Sequence, residues 1–177
     1  MRQTILALGL LLCALTVPQE AAPKRREVQG DALSTVTQAD CAAALSKLES
    51  VVLRVAGVSA SLPPLASGAA PAKRTEVIAR LDRVFELIKP KIKFTPKKIR
   101  YDSKLFALPP THPQRAALER LVKWGCIAKT GSLATSKAES MKLGEFGDAF
   151  ALFMTRIADI THRPDPKYSP YLGNDGQ

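Results

Sequence analysis

Residues 73–88 read KRTEVIARLDRVFELI, and residues 142–157 read KLGEFGDAFALFMTRI. In the first stretch Val77, Ile78, Leu81, Val84, Phe85 and Ile88 recur three and four residues apart, while Arg80, Asp82, Arg83 and Glu86 fall on the other faces. That period lays one apolar stripe along an amphipathic helix over about residues 73–89, stopped by Pro90, whose ring and missing N–H cannot continue it. In the second stretch Phe146, Ala149, Phe150, Phe153, Met154, Ile157 and Ala158 repeat the stripe and predict a helix over about residues 143–160.

Laid over one another, Lys73 matches Lys142, Glu76 matches Glu145 and Ile88 matches Ile157. Upstream of each lies a second similar pair, CAAALSKL at 41–48 and QRAALERL at 114–121. The earlier member belongs to a helix starting near Thr37, with Thr37 and Asp40 available as N-caps and Leu45, Leu48, Val51, Val52 and Val55 on its apolar face. The later one follows LPPTHP (108–113), where Pro113 suits a first helical turn and Thr111 or His112 the cap; Gly125 closes it. The fold expected is therefore all-α: two helix–loop–helix repeats packed as a small helical bundle.

The units occupy residues 37–106 and 107–162. Ahead of them, RQTILALGLLLCALTV (2–17) has one positive charge and then an apolar run too short to span a bilayer, the pattern of a secretory signal over residues 1–22. Residues 23–36 read as a flexible linker, and Pro164, Pro166 and Pro170 mark a proline-rich tail at 163–177. The expected location is outside the cytoplasm, in the periplasm or on the cell surface.

The formal net charge is +10 and the pI about 9.8, and removal of residues 1–22 takes away only Arg2 and Glu20, which cancel. An exported basic protein meets anionic envelope polymers before it meets nucleic acid, so nucleic acid is not an expected partner. The charge is densest in KPKIKFTPKKIRYD (89–102), a proline-limited extended connector. There Lys91, Lys93, Lys97, Lys98 and Arg100 make either a polyanion-binding ledge or a solvated linker tacked to the core by its apolar residues.

Chemistry-bearing groups are sparse. His112 and His162 form no ligand-spaced pair with another His, Cys or carboxylate, and nothing places an activating site beside Cys126, so no catalytic residue, metal or cofactor is expected. Cys41 and Cys126 are either disulfide partners or two small buried apolar residues. Trp124 is either core or a ring free to stack on sugar.

The stretch LPPTHPQRAALERLVKWGCIAKTG with KLGEFGDAF resembles an S-layer homology domain: a proline-bearing opening, a helix ending at a glycine turn, and a second helix beginning with a basic-then-acidic pattern. KRTEV at 73–77 resembles the same second-helix start. The chain departs from the pattern where Pro113 stands for a tryptophan and Leu143 for an arginine. The resemblance implies a trefoil of helices that binds wall polysaccharide or peptidoglycan. Arg74 at a helix N-terminus, with Glu76, would be the surviving ligand-binding pair, since a guanidinium beside free backbone N–H groups suits anionic groups. The function expected is non-catalytic binding of an anionic cell-wall polymer or peptidoglycan. The alternative is an exported helical module whose partner is an envelope protein or a second copy of the chain.

Overall fold

The computed structural model describes residues 32–93 and 99–162. The signal at 1–22, most of the linker, Lys97, Lys98 and the tail at 163–177 lie outside the described residues. The described fold is all-α, with α1 at Gln38–Val55, α2 at Arg74–Ile88, α3 at Arg115–Lys123, a single turn α4 at Ser132–Thr135, and α5 at Leu143–Thr161. Short 3-10 turns at Lys89–Lys91 and Ser103–Leu105 punctuate the connector between α2 and α3. None of the helices is long and apolar enough to cross a membrane.

The helices form where the stripes predicted them. Leu45, Leu48 and Val52 of α1, the six apolar residues of α2, Leu118, Leu121 and Val122 of α3, and Phe153, Ile157 and Ile160 of α5 are all buried in one core. Helix α1 turns its stripe slightly from expectation: Leu53 is buried and Val55 is 41% exposed at the last turn. Helix α3 starts later than expected, because the His112 ring nitrogen accepts the Gln114 N–H (3.0 Å) and the His112 carbonyl accepts the Arg115 N–H (2.9 Å) in a separate turn ahead of it. Gly125 ends α3 with φ +71°, and its N–H and that of Cys126 close onto the carbonyls of Val122 and Leu121. A side chain there would also meet Arg156 and the Ile99 methyl at 2.9 Å, so the turn requires glycine twice over.

The organisation of the bundle comes from three short segments that the periodicity did not reveal. Residues 34–37, 70–73 and 139–142 each lead into a helix, and they pair with one another through single antiparallel bridges: Thr35 with Lys142, Thr37 with Pro71, and Lys73 with Ser140. The central residue of each, Val36, Ala72 and Met141, is at most 2% exposed. Val36 donates its N–H to the Met141 carbonyl (3.0 Å) and accepts the Ala72 N–H (2.9 Å).

This hub also caps the helices in rotation. The first N–H groups of a helix have no partner within it. In α1, Gln38 and Ala39 donate to the carbonyls of Ala70 and Gly68; in α2, Arg74 donates to Glu139; in α5, Leu143 and Gly144 donate to Ser34 and Ala32. Each helix start is satisfied by the segment that leads into another. The hub thus relates the start of α1 to those of α2 and α5, whereas the sequence comparison paired α1 with α3, which begins outside it. Helix packing agrees, with α1 against α2 and α5, and α3 against α2.

Met141 and Met154 test this division of roles at constant chemistry. Met141→Ala in the hub, where the side chain is 1% exposed, is expected to lower the unfolding free energy by about 2–4 kcal/mol, and Met154→Ala on the outer face of α5 by less than about 0.5 kcal/mol, both read by urea denaturation.

Candidate functional site

Arginine and lysine serve different ends in this chain. Arg74, Arg80, Arg115, Arg120 and Arg156 all turn toward the protein. The Arg80 guanidinium forks onto both carboxylate oxygens of Glu49, its Nη2 at 2.7 Å from Oε2, and also holds the Pro63 carbonyl at 2.8 Å, riveting α1, α2 and their loop. Arg120 of α3 reaches Glu86 (2.6 Å) and Asp82 (3.0 Å) on α2. Arg156 of α5 is buried beside Asp159 (3.9 Å) and the Gly125 carbonyl (3.5 Å). A planar fork with fixed donors suits such bridging better than a flexible ammonium.

Arg74 belongs to this internal set. Only 4% exposed, it donates from Nε to Ala138 O (3.0 Å) and from Nη2 to Ser140 O (2.9 Å) and the Glu145 carboxylate (3.2 Å). The position is the helix N-terminus expected from sequence, but the fork is spent on the segment entering α5. Glu145 also accepts the Lys142 backbone N–H (3.0 Å). Burial pushes the Glu145 carboxyl up, yet these donors and the two positive charges outweigh it, so the net shift is downward. Glu76, the other member of the expected pair, is exposed in the first turn of α2, and its carboxylate makes no hydrogen bond among the described residues. The structure therefore does not bring Arg74 and Glu76 together on an open surface.

The remaining expected residues separate as well. Trp124 is half-buried, with its ring against Phe85 at 5.4 Å between centroids. Cys41 and Cys126 are both buried free thiols rather than a disulfide. Burial, with the Glu76 charge added, pushes the Cys41 thiol up to about 11, and burial pushes Cys126 further still. Neither thiol ionises readily.

What lies open is lysine-rich. Lys91, Lys93 and Arg100 are exposed, and their side chains make no ion pair among the described residues. The connector that carries them is pinned at one end by the Lys93 N–H on the Ile160 carbonyl (2.8 Å). At the other end a cavity of about 360 Å³ opens to the surface, lined by Arg100, Tyr101, Asp102, Leu105, Lys129 and Thr130. Lys129, from the α3–α4 loop, closes onto it by donating to the Arg100 carbonyl (3.2 Å).

The cavity wall is braced from behind. Tyr101 stacks on Phe106, rings 5.3 Å apart and 18° from parallel, and the Arg115 guanidinium covers the Phe106 ring at 4.9 Å. Arg115 also holds the carbonyls of Ser103 (2.7 Å) and Leu108, which fixes the path of the loop between them. The Asp102 carboxylate caps the 3-10 turn by accepting the Lys104 N–H (2.9 Å). The result is a preformed recess with two cations at its rim, an aromatic face, an aliphatic side chain and one carboxylate.

Tyr101, Leu105 and Lys129 were not among the residues singled out from sequence. Tyr101 carries no charge to mark it within the connector, and Lys129 sits in another unit, so only the folded backbone joins it to Arg100. Among the described residues no group of three or more His, Cys, Asp and Glu side chains is gathered as metal ligands would be.

The Arg74–Glu145 contact makes a prediction of definite sign. With its folded pKa below the ordinary glutamate value of 4.5, Glu145 contributes stability that is fully present above that value and is lost as pH falls through the lowered one. Glu145→Gln is expected to flatten the acid limb of the stability profile, measured by thermal unfolding from neutral pH downward, and Arg74→Met to flatten it in the same way. Searches of protein-family models, curated proteins and solved structures find no match to this chain.

Proposed function

We propose that the chain is a non-catalytic cell-envelope protein that binds an anionic wall polymer or peptidoglycan through the lysine-rich face of the connector. One observation carries this reading: Lys91 and Lys93 stand exposed at one end of the connector and Arg100 with Lys129 lines an open recess at the other, none of the four with an acidic partner among the described residues. By contrast, Arg74, Arg80 and Arg120 are paired with carboxylates between elements of the fold. Unpaired cations crowded along one segment raise the local potential and attract a polyanion, with an affinity that falls as salt rises.

The resemblance to S-layer homology domains supports the class of ligand, and three helix starts meeting in one hub suit the trefoil it implies. The ligand-binding role moves from Arg74 to the connector, because the Arg74 fork is already occupied. A second reading rests on the outer face of α5. Gly147, Asp148, Ala151, Met154, Thr155 and Ala158 are exposed there, with a single charge among them, which favours a protein partner.

Co-sedimentation with wall sacculi separates the two. Retention of the chain by sacculi that keep their acidic polymers, loss of retention on stripped sacculi, and at least about fivefold weaker retention of an Arg100→Gln, Lys129→Gln variant are expected. Retention unchanged in the double variant would overturn the proposal, and absence of retention by either preparation at low salt would overturn it and favour the α5 reading.

A further inference from the structure

Four large apolar side chains are exposed among the described residues: Leu33, Val55, Leu105 and Met154. Only Leu105 sits in a cluster of cations. It is 58% exposed at the tip of the 3-10 turn, lines the recess with Arg100 and Lys129, and follows Lys104, itself exposed. An aliphatic side chain held in water at a braced turn costs free energy that nothing in the fold returns.

We infer that this turn is a membrane-docking tip: Leu105 enters the headgroup layer of an anionic phospholipid bilayer while Arg100, Lys104 and Lys129 engage the lipid phosphates. A hydrated polyanion gains little from a protruding leucine. A bilayer surface rewards both halves of the pattern, the apolar side chain at the acyl boundary and the cations at the phosphates. Asp102 offsets one of the three positive charges, and its carboxylate is directed to the Lys104 backbone N–H, leaving the face cationic. The Tyr101–Phe106–Arg115 stack and the Arg115 bonds to Ser103 and Leu108 hold the tip in place before contact, so little ordering is required on docking. This occupant is distinct from the wall polymer and does not depend on it.

The test uses the whole chain with vesicles of phosphatidylcholine alone and of phosphatidylcholine mixed equally with phosphatidylglycerol. Binding to the mixed vesicles only is expected. Leu105→Ser should weaken it about tenfold at fixed salt, and Arg100→Gln or Lys129→Gln about fivefold each. These residues are exposed, so unfolding temperatures should not change. In a Trp124→Phe background, a tryptophan placed by Leu105→Trp should be quenched by lipids brominated on their acyl chains. Absence of binding to the mixed vesicles, equal binding by Leu105→Ser, or a tryptophan that is not quenched would each overturn the inference. Retention by sacculi without vesicle binding would overturn it and leave the wall-polymer proposal standing; vesicle binding without sacculus retention would do the reverse.

Discussion

Everything in this bundle depends on three extended residues, Val36, Ala72 and Met141, being buried against each other as their backbones bridge. Extended chain in a protein interior must place every N–H and C=O. Single bridges between three arms achieve this where a two-stranded pairing would leave one edge open. Because each arm runs directly into a helix, the same bridges that satisfy the arms aim α1, α2 and α5 and supply carbonyls to their first turns. The core stripes then meet because their helices are already oriented.

Onto this frame the chain distributes its charge by chemistry. Guanidinium groups rivet: Arg80 joins α1 to α2, Arg120 joins α2 to α3, and Arg74 joins α2 to the segment before α5. Ammonium groups face out, and the connector concentrates them. An excess of positive charge in a small domain opposes compaction. The arrangement offsets part of that by pairing Arg74, Arg80, Arg115, Arg120 and Arg156 within the fold.

The helices were legible in the sequence because a period of 3.6 over four turns is a strong signal; the stripe of α2 is buried as predicted, whereas in α5 Phe146, Phe153 and Ile157 are buried but Met154 and Ala158, assigned to the same stripe, turn outward. The hub was not legible. A one-residue bridge has no period, and the shared pattern behind it is short: a buried residue, then Thr37, Lys73 or Lys142, then an acid at Asp40, Glu76 or Glu145 three positions on. Two of these three were noticed, while α1 was aligned with α3 on the strength of alanines and leucines that any amphipathic helix can share. Arg74 was placed correctly at a helix start, but its partners lie 64 to 71 residues downstream and could not be read from its neighbours. Lys91, Lys93 and Arg100 were legible as local charge density; their junction with Lys129, and the recess it creates, exists only once α3 has brought its loop back to the connector.

The rotation of the hub has a further consequence for how the chain reaches this state. The first arm, around Thr35, closes onto Lys142, 107 residues away. During synthesis, α1 and α2 can form and touch while Val36 still lacks the carbonyl that receives its N–H. The bundle locks only when the last arm arrives, and until then its shared centre stays open to water. Such non-local closure must meet its loop-closure cost before its contacts stabilise anything, so the shared centre is the slow part of the fold to form.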